Sequence, residues 1–303
     1  MKKDNKRILS KWSRSDRITL GAMLAPFLIA FLVFMVIPVI ASIVLSFFRF
    51  DMLGTPEFIG FDNYFRMIME DKVFGISLAN TLYFAVITGP VGFMLSFILA
   101  WFINELGPKA RSVLSFLFYS PALMGNVYFI WQVMFSGDSY GYVNSLLISL
   151  NVISEPIQWF SNPNYSMTLV ILIQLWMSMG VSFLANISGL QNVDSTLYEA
   201  AAIDGVKNRW QELLYITIPS MGPQLLFAAV MQITASFTAG DIGRSLTAFP
   251  STDYAAWTIT HHLDDYGGQR FEVGYSSAIA VVLFAIMIGA NGLVKKILSK
   301  VGQ

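Results

Sequence analysis

Side chains able to do covalent chemistry are scarce in this sequence. The histidines number two, adjacent at His261 and His262, and there is no cysteine. A thiolate metal site, a disulfide framework and a cysteine nucleophile are therefore excluded. A neighbouring His pair without other ligands is not a metal-site pattern, and the pair is expected to lie solvated in a loop. No G-x-x-x-x-G-K-[ST] run occurs, nor any Gly-Lys dipeptide, which excludes ATP binding through a phosphate-cradling loop. H-E-x-x-H is also missing, so a zinc-protease site is excluded. Gly274, Tyr275 and Ser276 come nearest to a serine-protease signature. A serine nucleophile needs a base within hydrogen-bond reach. Neither histidine falls in an apolar stretch, so these residues read as a small-residue helix contact. The expectation is no catalytic residue and no metal ligand.

What remains is non-covalent recognition, and two constellations offer it. Gln174, Ser178, Ser182 and Asn186 recur every four residues, a spacing that drifts by only about 40° per step around a helix. Gln232 and Ser236 repeat the spacing, and Asn126 and Gln132 add two more amides. Uncharged amides and hydroxyls suit a neutral polyol; they equally suit hydrogen bonds between neighbouring helices. Trp131 and Trp176 carry the same two readings, stacking on sugar rings or packing near a membrane interface.

The second constellation is residues 191–220, QNVDSTLYEAAAIDGVKNRWQELLYITIPS. Residues 197–203 are helix-competent, with Ala200, Ala201 and Ala202 the strongest formers. Asp194 or Ser195 is placed to cap the start. Gly205 tolerates the left-handed conformation that ends a helix. A second short amphipathic piece runs through Trp210, Leu213, Leu214 and Ile216 to Pro219. The expectation is two short helices bent at Gly205, with a small alanine face able to seat in a partner's groove.

The surrounding elements must place both constellations in a membrane. Of 303 residues, 55% are hydrophobic and 13% charged, with mean hydropathy +0.60, far from the balance of a soluble domain. Six stretches, at about 20–48, 78–103, 112–135, 166–190, 221–240 and 275–298, are long and apolar enough to cross a bilayer as helices. None carries Asp, Glu, Lys or Arg away from its ends. That absence opposes a proton- or ion-coupled carrier. The first stretch is too long for a cleaved signal peptide. Charge bias orients the chain. Residues 1–19, 104–111, 191–220 and the C-terminus hold fourteen basic and seven acidic residues, against five and twelve on the other side. Both termini are expected in the cytoplasm, and the basic N-terminal tail reads as a topology signal rather than a nucleic-acid arm.

Glu199, Ala200, Ala201 and Gly205, followed by Ile216, Ile218 and Pro219, resemble a known signature. It is the EAA loop, E-A-A-x-x-x-G followed by I-x-L-P, of the membrane permease subunits of binding-protein-dependent ABC importers. Here the Gly-to-Ile spacing is one residue longer and Ile218 replaces Leu. Residues 26–48, FIGFDNYFRM at 58–67, Asn80, Thr81 and Leu82, and FEVGYSSAIAVVLF at 271–284 resemble the sugar-permease branch, related to the maltose permease subunits. Residues 241–257 lack the glycine-rich stretch common in that branch.

The resemblance implies an all-α membrane protein with six transmembrane helices in the type I ABC importer fold. Residues 1–75 would be the cytoplasmic tail, first helix and first outer loop, and residues 76–298 the transmembrane core. Glu199, Ala200, Ala201, Asp204, Gly205 and Pro219 would couple to an ATPase. Gln174, Ser178, Ser182, Asn186, Gln232 and Ser236 are the candidate substrate path. The implied partners are a second homologous permease, two ATPase subunits, an extracytoplasmic solute-binding protein and a carbohydrate. ATP and Mg would sit on the ATPase and no cofactor on this chain, which would work by alternating access in a prokaryotic cytoplasmic membrane. The competing readings are an ABC permease for a non-sugar solute, a stand-alone secondary transporter and a membrane enzyme.

Overall fold

Apolar runs without internal charge satisfy their backbone groups locally, and in this chain they do so as helices. The computed structural model describes residues 14–124 and 127–298. Four helices are long and apolar enough to cross a membrane: α1 (Ile18–Leu45), α2 (Lys72–Asn104), the pair α5 (Pro163–Met177) with α6 (Val181–Gln191), and α12 (Val273–Leu298). Two further candidates are bent. The third expected span is α3 (Pro108–Leu123) and α4 (Tyr128–Met134), which meet at 87° rather than running on as one helix. The fifth is α8 (Arg209–Ser220) and α9 (Gly222–Thr238), at 83°. Short helices α7 (Ser195–Ile203), α10 (Gly240–Leu246) and α11 (Ile259–Asp264) fill the connections. The described residues are thus mainly helical, with four to six candidate membrane helices.

Proline explains two irregularities. In α1 a π-helical turn, Leu32–Val36, ends just before Pro38, and in α8 the turn Leu213–Thr217 ends just before Pro219. In each case the amide before the proline reaches back five residues, Ile37 to Leu32 and Ile218 to Leu213. The wider turn makes room next to a residue that cannot donate. In α2, by contrast, Pro90 sits within an unbroken 33-residue helix.

The core is the interface of α2, α6, α9 and α12. Phe183, Met221 and Ile279 are fully buried in it, while Ile173 of α5 is fully buried in a neighbouring cluster with Phe84 of α2 and Ile242 of α10. Lipid is as apolar as these side chains, so close approach of helices depends on small residues. Gly92 shows this: a Cβ there would collide with Gln232 Nε2 and lie 3.1 Å from Ser178 Cβ. The helix α1 stands apart, its N-terminal apolar window wholly unburied, and only its C-terminal part packs along α12. After α1, a two-stranded antiparallel hairpin pairs Phe48 with Phe58 and Arg49 with Glu57, a β element that no alternation in the sequence announces.

The histidines correct an expectation. They are not in a solvated loop but in α11, with His261 4% and His262 2% exposed. Local chemistry draws them in: Thr258 and His261 form a reciprocal cap on α11, and His262 hydrogen-bonds to Asp71 at 2.8 Å. Burial lowers the His261 pKa to about 4, so the ring stays neutral.

Candidate coupling segment and polar path

Residues 191–220 fold as two helices around a glycine. Asp194 caps α7, its carboxylate accepting the Thr196 amide at 2.9 Å. The other end closes as a Schellman motif. The Val206 amide reaches Ala201 O at 3.0 Å, the Gly205 amide reaches Ala202 O at 3.4 Å, and Gly205 takes φ +93°. Only glycine occupies that backbone region without strain. Asn208 then caps α8 by accepting the Gln211 amide at 2.9 Å.

Between its caps, α7 buries nothing. Glu199 and Ala200 are exposed, Ala201 is half-buried, and Ile203 is 87% exposed. Asp204 and Gly205 lie exposed at the bend, and Pro219 follows the π-helical turn of α8. A nine-residue helix is marginal alone; this one is held by its caps and a few tethers. Tyr198 Oη lies 2.9 Å from Thr217 Oγ1, which links α7 to α8. Arg209 pairs with Glu105 at 2.9 Å and Glu212 at 2.7 Å. Trp210 packs on Trp101 with ring centroids 5.1 Å apart. The Glu105 pair and the Trp101 contact reach the C-terminal end of α2. Sequence reasoning placed Trp210 on the second helix but gave no role to Tyr198, Thr217, Arg209, Glu105 or Trp101. Opposite charges at 105 and 209 were the only signal, and nothing local says that these positions meet.

The polar constellation is sealed inside the bundle. Gln174, Ser178, Ser182, Asn186, Gln232 and Ser236 are all buried, from 0% to 6% exposed. The helix carrying the first four breaks between α5 and α6, at residues 178–180, so the stripe does not run along one continuous helix. Ser182 Oγ donates to Ala228 O at 3.0 Å, Asn186 Nδ2 to Ser96 Oγ at 3.3 Å and Gln232 Nε2 to Thr88 O at 3.2 Å. These three bonds cross between helices. Ser178 and Ser236 instead donate to carbonyls of their own helices, Leu175 O and Ile233 O. Gln132 donates to Ser245 O, and Asn126 lies outside the described residues. Trp131 and Trp176 pack edge to face on each other, 5.3 Å apart. Among the described residues no three His, Asp or Glu side chains group closely enough to hold a metal.

Comparison with known proteins places this architecture. No family model matches the chain. "Probable ABC transporter permease protein YesP" of Bacillus subtilis is 32% identical over 297 residues, covering 96% of this chain and 92% of that protein. The arabinooligosaccharides transport system permease protein AraP of Bacillus subtilis is 31% identical, over 87% of this chain and 83% of that one. Among solved structures, a chain of a bacterial ABC transporter that imports the acidic polysaccharide alginate superposes with TM-score 0.75 and 25% identity. It covers 92% of this chain and 96% of that chain. Sequence likeness along nearly the whole length, a shared fold and a capped EAA helix agree: the chain belongs to the ABC transporter permeases, multi-pass proteins of the cell membrane.

Proposed function

We propose that this chain is the permease subunit of an ATP-driven importer for a carbohydrate, and that α7 is where the ATPase seats. The cargo reading is supported by the arabinooligosaccharide and alginate transport of its relatives. The single observation that carries the coupling role is α7 itself. It is capped at both ends yet buries no side chain, and it presents Leu197, Ala200 and Ile203 to the outside. An amphipathic helix left in this condition is completed by a groove on a partner.

In this reading both bent pairs cross the membrane, giving six spans with both termini cytoplasmic, as the charge bias requires. Two ATPases carry ATP and Mg, a second permease completes the path, and a solute-binding protein delivers cargo to the outer face. When the ATPases close, α7 is displaced and the movement divides. One branch passes through Tyr198 and Thr217 into α8 and the bend at Pro219. The other passes through Arg209, Glu105 and the Trp101–Trp210 contact into α2. The chain then exchanges inward and outward states by differential contact with the nucleotide-loaded ATPase. The buried polar line holds α2, α6 and α9 together in the state described here.

Substitution at the segment tests this. Gly205→Val, Ala201→Trp and Glu199→Lys should insert in the membrane normally but release the ATPase in pull-down or hydrolyse ATP without uptake. Normal retention and normal uptake in all three variants would reduce the segment to a linker.

A further inference from the structure

The end of the bundle opposite α7 holds a polar network that the transport reading leaves unused. Its centre is Asp71, the N-cap of α2, whose Oδ1 accepts the Phe74 amide at 2.9 Å. Its Oδ2 accepts from His262 Nε2 at 2.8 Å and from Tyr275 Oη at 2.7 Å, residues on α11 and α12. Trp257 Nε1 lies 3.4 Å from His262 Nδ1, which leaves the proton on Nε2 to donate to the carboxylate. His262 and Tyr275 are each 2% exposed. Burial alone would raise the Asp71 pKa, but the bonds from His262, Tyr275 and the Phe74 amide outweigh it and hold the group ionised, below the usual carboxylate range.

Further along α2, Asn80 and Thr81 grip the same segment. Asn80 Nδ2 donates to Tyr254 O at 2.8 Å and to Trp257 O at 3.0 Å. Thr81 Oγ1 accepts the Ile259 amide at 2.8 Å while donating to Ser77 O at 2.7 Å. The segment they grip is strained: Asp253 and Tyr254 take φ +51° and +56° in succession. Such a pair persists only where its surroundings hold it. One Asn80 bond lands on this pair, at Tyr254 O, and the other just beyond it, at Trp257 O, where Ala256, Trp257 and Ile259 are buried.

We propose that Asp71, Asn80 and Thr81 are positioning residues that fasten residues 254–264 to the start of α2 and, through Tyr275, to the start of α12. These three parts then keep their arrangement throughout the transport cycle, and the path opens on this side along another seam. Opening here would break several hydrogen bonds at once and bare an ionised carboxylate's partners, whereas the break at residues 178–180 between α5 and α6 already interrupts a helix of the bundle.

The inference rests on the transport reading only for the existence of a cycle. Its test is hydrogen exchange on the assembled importer in lipid discs, at rest and trapped with ATP and vanadate. Peptides covering 254–264 should exchange within about twofold in the two states, while 195–203 changes on trapping. Exchange more than about tenfold faster in the trapped state would overturn the proposal. If 195–203 fails to respond, the coupling reading fails separately. Asp71→Asn, which leaves one acceptor oxygen for the Phe74, His262 and Tyr275 donors and sets an NH2 donor against the rest, should raise exchange at 257–262 by tenfold or more in the resting state and leave 195–203 unchanged. Unaltered exchange there would show that the carboxylate is not the fastener.

Discussion

The two ends of this bundle handle polar chemistry in opposite ways. At the coupling end, α7 leaves its faces bare and relies on backbone caps, a Tyr198–Thr217 contact and the exposed Arg209 pairs. At the far end, Asp71, His262 and Tyr275 are sealed together, and Asn80 and Thr81 saturate backbone groups of the next segment. The difference teaches where each region finds its stability. A buried, satisfied network fixes a local structure from within. A capped but unpacked helix is kept ready for a surface that the chain does not contain.

Acidification should separate the ends most sharply. His261 is buried with its pKa lowered from 6.5 to about 4, facing Asp264, Arg244 and Asp241. Above pH 6.5 neither the folded nor the unfolded ring is protonated, and the full stability is present. As pH falls from 6.5 towards 4 the unfolded ring takes a proton that the folded one refuses, so stability is lost, by up to about 3 kcal/mol. Thermal melts of the purified protein between pH 7 and 4.5 should show this fall, and His261→Gln should flatten it. The coupling segment has no buried titratable side chain, so the hydrogen-exchange protection of residues 195–203, taken relative to the intrinsic exchange rate at each pH, should not change over the same range.

A smaller effect tests the middle of the bundle, between the two ends. Gly92→Val puts carbon against Gln232 and Ser178, and overpacking of this kind costs about 1–3 kcal/mol. Gln232→Leu removes the bond to Thr88 O. Both should lower the yield of assembled protein, measured by size-exclusion in detergent. Normal assembly of Gln232→Leu with lost sugar uptake would instead make Gln232 part of the cargo path.

The smallest stability effect is expected at Arg209. Its pairs are exposed, and surface ion pairs contribute about 0–1 kcal/mol. Arg209→Glu should barely shift the melting temperature but should lower the uptake obtained per ATP. Adding Glu105→Arg should restore the ratio. A ratio unaffected by either change would remove α2 from the transmission route.

How much of this was legible in the sequence depended on distance along the chain. A cap at Asp194 or Ser195, the alanine helix and the left-handed Gly205 all follow from residues within one or two turns of each other, and the structure has all three, with Asp194 as the cap. Hydropathy located the apolar stretches, although it could not show that α3 and α4 bend apart, because composition does not record direction. The histidines were misplaced for a related reason. A His-His-Leu-Asp-Asp run reads as a polar surface until Asp71, 191 residues away, is known to meet His262. Asn80 and Thr81 stood out only through family likeness. Their physical role, anchoring backbone at Tyr254, Trp257 and Ile259, needed the folded chain.

The central claim is that α7 is a docking helix whose shape depends on Gly205, and retention of the ATPase measures it most directly. A side chain at 205 carries a left-handed penalty of about 1–2 kcal/mol, and Ala201→Trp overfills the half-buried face beside it. Each variant, co-purified with the ATPase against the unmodified chain, should retain at least fivefold less ATPase while inserting in the membrane at normal levels. Undiminished retention together with undiminished uptake per ATP in both Gly205→Val and Ala201→Trp would contradict the account.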